Sequence, residues 1–227
     1  MKTLSVSALA KYLDHVGDWN IPLEQYCETA VKYGVRCCAV NIEEVKFCKD
    51  YLKGTDILVS GAVAFPGGSG TIQGKLADVG YAMENGADEV DYVINTHNVK
   101  NHDWDKVEEE ITAIAELCSK NGVADKVIFE NCLYNPEEKA KLCEIAVKAG
   151  PAFIKTSTGK SFGGATPEDV RLMKKIAGEK CKIKAAGGIR NYYTALAMIE
   201  AGADRLGTSS AVKILEGYAA YLESMQK

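Results

Sequence analysis

Short runs of consecutive apolar residues alternate along the chain with longer stretches in which apolar residues recur every three or four positions. Runs that are apolar throughout are typical of parallel strands that are buried on both faces. Seven such runs are clear, and residues 11–15 form a weaker first candidate. The predicted strands cover residues 11–15, 37–40, 57–64, 90–94, 127–129, 153–154, 183–186 and 205–207.

The stretches between these runs carry helix signals. Residues 72–85 have apolar side chains at helical spacing. Another helix is predicted to begin at Pro136, because proline is favoured at the first helical position and acidic residues follow it. A third has Thr166 as its N-cap and Pro167 at its first position. The faces predicted to be buried are Ile72, Leu76, Val79 and Met83 in the first helix and Leu142, Ile145 and Ala149 in the second.

A glycine that ends a helix, followed by a strand-like run, recurs along the chain at intervals of 20 to 36 residues. Eight alternating strand and helix units in 227 residues favour a TIM (β/α)8 barrel over a doubly wound sheet, which has fewer strands. We therefore predict an α/β fold, with residues 1–227 as one TIM-barrel domain and a short N-terminal helical extension. The recurring glycines are Gly34, Gly54, Gly86, Gly122, Gly150, Gly178 and Gly202.

Composition narrows the possible classes of protein. A net charge of -4 argues against a nucleic-acid or anionic-membrane surface, and the absence of a long apolar run predicts a cytoplasmic protein. The eight cysteines are expected to be reduced thiols. The three histidines lack the spacing of a metal site.

We assign no role to His97 and His102, whereas a role for His15 is left open because Asp14 precedes it. Cysteines 27, 48, 118 and 143 are predicted in helices, and cysteines 37, 38, 132 and 181 in strands.

Two lysines lie in short apolar runs, near the C-terminal ends of two consecutive predicted strands. Lys155 and Lys184 sit in apolar surroundings, where an ammonium group is costly to desolvate. Desolvation and a neighbouring positive charge both lower the pKa of an amine and make it nucleophilic. The pair therefore suggests Schiff-base chemistry with a carbonyl compound. The alternative is that both side chains reach solvent or bind anions without reacting.

A barrel would bring these lysines close to an acid. Neighbouring strands lie about 4.8 Å apart, and catalytic groups collect at their C-terminal ends. Asp91 in the fourth predicted strand is expected inside the barrel, stabilised by Lys184, because an acid within an apolar run requires a cationic partner. The alternative for Asp91 is a solvent-exposed position at the strand entry, which is how we interpret Asp88 and Glu89.

The loops after the sixth, seventh and eighth strands are rich in glycine and hydroxyl groups. They contain Thr158-Gly159-Lys160-Ser161, Gly187-Gly188 and Gly207-Thr208-Ser209-Ser210. Loops at this part of a TIM barrel commonly bind phosphate through backbone N–H groups. Any one of these glycines is also compatible with a purely structural turn.

These motifs together resemble the deoxyribose-phosphate aldolases, the DeoC family of class I aldolases, over essentially the whole chain. The two lysine motifs carry most of the resemblance. The matching segments are YLDH (12–15), VN (40–41), AFP (64–66), NGADEVD (85–91), KTSTG (155–159), GGAT (163–166), KAAGGIR (184–190) and GTSS (207–210).

The resemblance implies an aldehyde-lyase that reversibly cleaves 2-deoxy-D-ribose 5-phosphate to D-glyceraldehyde 3-phosphate and acetaldehyde, without a metal or an organic cofactor. It implies that Lys155 forms the Schiff base, that Lys184 keeps Lys155 partly neutral, and that Asp91 with a water transfers protons. Asp14 corresponds to a supporting acid near Lys184, and Thr158 would line the sugar site. A homodimer acting in nucleoside catabolism is also implied. The implied phosphate ligands are Gly159, Lys160, Gly187, Gly188, Ser209 and Ser210.

The chain departs from the family at several points. Val16-Gly17-Asp18-Trp19 replaces the usual Thr-Leu after His15, which removes a hydroxyl contact and alters the first loop. Ala39 stands where a cysteine is common, with Cys38 one place earlier and facing the other way, and Ala186 replaces a serine. There is no obvious match to a terminal tyrosine tail. These departures leave the chemistry intact and bear on rate, substrate range and tolerance of acetaldehyde.

Two alternatives remain open from the sequence. One is a class I aldolase that acts on a different phosphorylated sugar, since the lysines define the chemistry and the altered first loop bears on the choice of donor. The other is a sugar-phosphate binding barrel without turnover. Asp91 argues against the second, because a carboxylate would oppose anion binding.

Overall fold

Eight parallel strands form a closed barrel in the computed structural model, which describes residues 4–17 and 20–226. The strands follow one another in chain order, and the last pairs with the first. The predicted TIM barrel is therefore confirmed. The strands are β1 (Leu13–Val16), β2 (Cys37–Asn41), β3 (Leu58–Val63), β4 (Glu89–Val93), β5 (Ala124–Ile128), β6 (Phe153–Lys155), β7 (Lys182–Ala186) and β8 (Arg205–Thr208).

Helices surround the barrel, and α1 (Val6–Ala10) is the predicted N-terminal extension. Single 3-10 turns at Ile42–Glu44 and Asn131–Leu133 follow β2 and β5. No described helix is both long enough and apolar enough to cross a membrane. The other helices are α2 (Leu23–Tyr33), α3 (Val45–Tyr51), α4 (Ile72–Glu84), α5 (Thr96–Lys100), α6 (Trp104–Lys120), α7 (Pro136–Ala149), α8 (Pro167–Ala177), α9 (Tyr192–Glu200) and α10 (Ala211–Ser224).

Helix boundaries follow the capping chemistry of the sequence. Asn135 caps α7 and forms a reciprocal capping box with Glu138. Gly150 ends the same helix in the left-handed conformation at φ +80°, which glycine adopts without a steric penalty. The hydroxyl of Thr166 accepts the N–H of Asp169 at the start of α8, as predicted. These local signals place loops at both ends of the barrel.

Several predicted boundaries are wrong in detail. The first strand is Leu13–Val16 rather than 11–15, because Lys11 caps the C-terminus of α1. The helix predicted over 72–85 ends at Glu84, with Asn85 as its C-cap. Cys132 lies in a 3-10 turn and Cys181 immediately precedes β7, so neither is in a strand. All eight cysteines are free, and all except the half-buried Cys132 are buried.

The helix α4 buries a charged residue that the apolar periodicity did not reveal. Lys75 and Ala82 are buried beside Val79, whereas Leu76 and Met83 are only partly covered. The Lys75 ammonium donates to the backbone carbonyls of Gly68 and Val93 and pairs with the Glu110 carboxylate at 2.5 Å. This buried pair therefore ties the loop after β3 to the end of β4 and to α6.

Aspartates near the start of strands tie neighbouring strands together below the site. Asp88, Asp125 and Asp204 each accept a backbone N–H from an adjacent strand or the residue leading into it. Asp125 is the most buried of the three, with 3% of its surface exposed. Burial raises the pKa of its carboxyl group to about 6, although the N–H of Ala152 and the charge of Lys126 oppose the shift.

Replacement of Asp125 by Asn is predicted to stabilise the protein at pH 8. Because the pKa of Asp125 is raised in the folded protein, ionisation of its carboxyl group destabilises the fold above about pH 6. This loss of stability disappears as the pH falls towards the pKa of the group in the unfolded chain, near 4. Asparagine keeps an acceptor for the N–H of Ala152 without the charge. We expect the free energy of unfolding in urea to rise by up to about 3 kcal/mol at pH 8, and by less at pH 5.

The matched control is Asp204→Asn, which changes a half-buried aspartate that makes the equivalent bond to Ile183. It should not gain stability at pH 8. Loss of stability in Asp125→Asn at both pH values would instead show that the attraction between Asp125 and Lys126 outweighs the cost of burial.

Candidate active site

A cleft of about 260 Å³ opens at the C-terminal ends of the barrel strands. Lys155 and Asp91 form part of its floor, and loops that follow the strands form its rim. Lys184 is fully buried and lies beneath the cleft rather than in its wall. The cleft therefore lies where the active site of a TIM barrel is expected. Of the two predicted lysines, Lys155 is accessible from it.

Strand pairing explains why charged residues meet inside the barrel. Asp91 on β4 is level with Lys126 on β5, and Lys155 on β6 is level with Lys184 on β7. Because side chains alternate between the two faces of a strand, residues two apart on one strand share the interior. Glu89 lies two residues before Asp91 and points inward as well. The interior of the barrel is consequently polar at several levels.

The Asp91 carboxylate is shared by three lysines. One oxygen, Oδ2, lies 2.6 Å from Lys155 Nζ and 2.7 Å from Lys184 Nζ. The other, Oδ1, lies 2.6 Å from Lys126 Nζ and accepts the hydroxyl of Ser60 at 2.8 Å. Both oxygens therefore have donors, which compensates for burying a carboxylate that is only 3% exposed.

A second layer of charge supports this carboxylate from below. Asp14 is fully buried, with Oδ2 2.6 Å from Lys184 Nζ and Oδ1 3.1 Å from the guanidinium of Arg205. Nη2 of Arg205 also donates to both carboxylate oxygens of Glu89, and Glu89 Oε2 lies 2.8 Å from Lys126 Nζ. The interpretation of Glu89 as a solvent-exposed strand entry is thus wrong, because two cations hold it inside the barrel.

The electrostatics of the interior favour the neutral amine of Lys155. Burial lowers the pKa of Lys155 to about 8, and the charges of Lys184 and Lys126 add to the effect, while Asp91 opposes it. Burial alone would raise the pKa of Asp91, but the three lysines hold it well below its usual value. About a quarter of a lysine with a pKa of 8 is neutral at pH 7.5, against about 0.1% of an ordinary lysine.

Charge balance points in the same direction. Among the described residues whose side chains are buried inside the barrel, four are cationic when protonated and three are carboxylates. Loss of one proton therefore leaves equal numbers of positive and negative charges inside. Lys155 is the cation of this set that also lines the cleft. The cations are Lys126, Lys155, Lys184 and Arg205, and the carboxylates are Asp14, Glu89 and Asp91.

The Gly-rich loops form one wall of the cleft. Gly187 adopts φ +86°, and a Cβ on Gly164 would lie 2.4 Å from the carbonyl oxygen of Gly187, so these two loops pack backbone to backbone. Ser210 is not among the described residues that line the cleft; it is the N-cap of α10 and donates its N–H to the hydroxyl of Thr208. The predicted residues that do line it are Thr158, Gly159, Lys160, Gly187, Gly188 and Ser209, and Arg190 lies beside them.

The opposite wall is largely apolar. Val16, Ala39, Ala62 and Phe65 line it, with Ala186 on the side of β7. Cys38 is buried and contributes nothing to the cleft, so its predicted outward orientation is confirmed. Asp18 and Trp19 of the altered first loop lie outside the described residues. The histidine left open by the sequence, His15, is buried and stacks on the ring of Tyr26 with centroids 4.7 Å apart.

Comparison with known proteins identifies the family. The family model described as "DeoC/LacD family aldolase" matches residues 15–226. This chain belongs to that family. The aldolase is 47% identical to a deoxyribose-phosphate aldolase of Lactobacillus acidophilus over 202 residues, which cover 89% of this chain and 85% of the relative. It is 45% identical to the deoxyribose-phosphate aldolase of Thermococcus gammatolerans, with 92% of this chain and 96% of the relative covered.

A solved structure supports the same assignment. The aldolase superposes on the tetrameric deoxyribose phosphate aldolase of Aeropyrum pernix with a TM-score of 0.88 at 28% identity. The alignment covers 96% of this chain and 93% of that one. The overall barrel is therefore shared with an enzyme of the same family.

Four polar residues of the aldolase interior escaped the sequence analysis. Lys126 and Arg205 were included in no site, because each stands near a strand entry, where charged residues are ordinarily solvated. Glu89 was missed for the same reason, and Ser60 because an uncharged serine within an apolar run gives no signal of a charged partner. The sequence does carry one signal for Glu89. Side chains of a strand alternate between its two faces, so Glu89 shares a face of β4 with Asp91.

Removal of the neighbouring positive charge should raise the pKa of Lys155. In Lys184→Met, Asp91 Oδ2 loses one of its two cations and attracts the remaining ammonium more strongly, so Lys155 retains its proton to higher pH. We expect the midpoint for chemical modification of Lys155 to move from about pH 8 upwards by at least about one unit. Peptide mapping after reaction with an amine reagent across a pH series measures it.

Lys182→Met is the matched control, since Lys182 lies on the same strand but is exposed. In this variant, the pH midpoint for chemical modification of Lys155 should stay near pH 8. A midpoint in Lys184→Met that stays unchanged, or falls, would show that Lys184 does not depress the pKa of Lys155.

Proposed function

We propose that this protein is a class I aldolase that reversibly cleaves 2-deoxy-D-ribose 5-phosphate to D-glyceraldehyde 3-phosphate and acetaldehyde. The observation that carries the proposal is a buried lysine on the floor of a cleft, with its Nζ 2.6 Å from a carboxylate that a second lysine also contacts. A partly neutral amine beside a carboxylate supplies both the nucleophile and a proton acceptor. The names of the relatives supply the substrate.

The reaction begins at Lys155. Its neutral amine attacks the C1 aldehyde of the open-chain sugar and forms a carbinolamine, which loses water to give a protonated imine. Asp91 lies within hydrogen-bond reach of Nζ and is suited to moving the protons of this step. Because Lys184 holds the same oxygen of Asp91, the carboxylate stays in place when the charge of Lys155 changes.

Carbon–carbon cleavage follows from the protonated imine. Removal of the C3 hydroxyl proton, by Asp91 through a water, turns C3 into the aldehyde of glyceraldehyde 3-phosphate. The electrons of the C2–C3 bond move into the imine and leave an enamine on Lys155. Protonation at C2 and addition of water then release acetaldehyde and regenerate the amine.

The substrate phosphate is assigned to the Gly-rich wall. Gly159, Gly187 and Gly188 offer backbone near the cleft, and Lys160 supplies positive charge there. Ser209 lines the same wall, whereas Ser210 would contribute from the start of α10. The apolar wall opposite suits the methyl group of acetaldehyde.

The oligomeric state, the cellular location and the metabolic role are also inferred from the family resemblance. We infer a homodimer from the family resemblance, although the Aeropyrum pernix relative is tetrameric. We also infer a single domain, a cytoplasmic location, a role in catabolism and no requirement for a metal or organic cofactor, because the lysine chemistry proceeds without one.

Cleavage of 2-deoxyribose 5-phosphate tests the proposal directly. We expect the wild-type protein to release acetaldehyde and glyceraldehyde 3-phosphate in equal amounts, measured by coupled reduction of each aldehyde. Lys155→Ala should abolish release and keep phosphate affinity, because the imine cannot form but the Gly-rich wall remains. Asp91→Asn should lower kcat by about 10²- to 10⁴-fold, the usual contribution of a general acid or base.

Lys182→Ala is the control for loss of a lysine from the same barrel and should keep full activity. Cleavage of another phosphorylated sugar in preference would favour an aldolase of different specificity. Phosphate binding without any cleavage in the wild type would favour the binding barrel.

A further inference from the structure

Glu130 is an acidic residue held in an unusual backbone conformation just after β5, the strand that pairs with the one carrying Lys155. It follows β5 at φ +63°, in the left-handed region that residues other than glycine rarely adopt. The residues before and after Glu130 donate backbone hydrogen bonds to β6 and to the residue that follows it. The N–H of Phe129 donates to Lys155 O at 3.0 Å, and the N–H of Asn131 donates to Thr156 O at 2.8 Å.

The Glu130 carboxylate is buried without an ion pair. Only 4% of the residue is exposed, and no described lysine, arginine or histidine lies within ion-pair distance of it. Its donors are instead the N–H of Thr158, at 3.3 and 3.4 Å from the two oxygens, and the hydroxyl of Thr158. The thiol of Cys132 lies 3.8 Å from Oε1. The carboxylate is therefore directed at one residue of the cleft wall.

These contacts determine what the Thr158 hydroxyl can offer to a ligand. A hydroxyl group has one hydrogen to donate and two lone pairs that accept. The hydrogen goes to Glu130, and one lone pair accepts the N–H of Lys160 at 3.0 Å. One lone pair remains, and Thr158 lines the cleft. Thr158 consequently faces a substrate as an acceptor and not as a donor.

Thr158 also stands between the two ends of the proposed substrate. It is three residues beyond Lys155, which would hold C1, and two before Lys160, which would face the phosphate. The group of 2-deoxyribose 5-phosphate between the reacting carbons and the phosphate is the C4 hydroxyl. This hydroxyl becomes the C2 hydroxyl of glyceraldehyde 3-phosphate, and it can donate a hydrogen bond.

We propose that Glu130 is a positioning residue that orients Thr158 as the acceptor for this hydroxyl, and so makes the enzyme select hydroxylated acceptor aldehydes. The inference rests on the proposed function. It explains why a buried acid and a left-handed backbone occur together at this position: the conformation directs the carboxylate at Thr158, and the hydrogen bonds compensate for its burial.

The test is a competition between two acceptor aldehydes in the synthetic direction, each combined with acetaldehyde. One is D-glyceraldehyde 3-phosphate, and the other is 3-oxopropyl phosphate, which lacks only the hydroxyl. Wild type should show a clear preference in kcat/KM for the first. We expect Glu130→Gln to lower this ratio about tenfold, because a neutral amide holds the N–H and the hydroxyl of Thr158 more weakly than a carboxylate does.

Two further variants separate this role from folding. Glu130→Gly removes the carboxylate at a φ that suits glycine, and should lower the ratio to a similar extent. Thr158→Val removes the acceptor and should also lower it, while adding Glu130→Gln to Thr158→Val should lower it no further. Thr158→Ser keeps the hydroxyl and should restore the preference. Glu137→Gln, an exposed acid in the first turn of α7, is the matched control and should leave the ratio unchanged.

The outcomes are distinct. A merely structural role for Glu130 would lower kcat/KM for both acceptors by the same factor, and that result would overturn the inference. A ratio that falls in Thr158→Val but not in either Glu130 variant would show that Thr158 is oriented without Glu130, which also overturns it. Absence of product with either acceptor in the wild type would contradict the proposed function itself, and this inference with it.

Discussion

One carboxylate, that of Asp91, determines the arrangement of the barrel interior. Three buried lysines share its two oxygens, and none of them could be desolvated at this depth without a counter-charge. Asp14 and Glu89 neutralise the positive charge left over, and they in turn hold Arg205. The network therefore depends on Asp91, because its removal would leave three ammonium groups confined around an empty position.

The same network sets the state of the nucleophile. Lys126 and Lys184 are enclosed among carboxylates, whereas Lys155 meets the cleft and has Asp91 as its acidic partner. Loss of one proton balances the charges of the interior, and Lys155 is the lysine placed to lose it. A fold that buries several lysines thus gains one amine that is partly neutral near physiological pH. Closed strand pairing fixes the relative positions of these side chains, so the electrostatics do not depend on the conformation of the loops.

Much of this arrangement could be predicted from the sequence, because it follows from periodicity. Alternating runs predicted the barrel, and the position of Lys155 and Lys184 near consecutive strand ends predicted that they would meet Asp91. Glu89 and Lys126 were missed, since a charged residue at a strand entry is ordinarily solvated and its partners come from distant strands. The role of Glu130 depends on a left-handed φ and on a contact with Thr158 across 28 residues of sequence, neither of which a local pattern encodes.

The most direct test of the account is to trap the imine. The protein is incubated with acetaldehyde and borohydride, its intact mass is measured, and the modified peptide is mapped. We expect one reduced adduct per chain, located on Lys155, because this lysine combines a lowered pKa with access to the cleft. The absence of an adduct, or adducts scattered over exposed lysines, would contradict the claim that the charge network makes Lys155 the nucleophile.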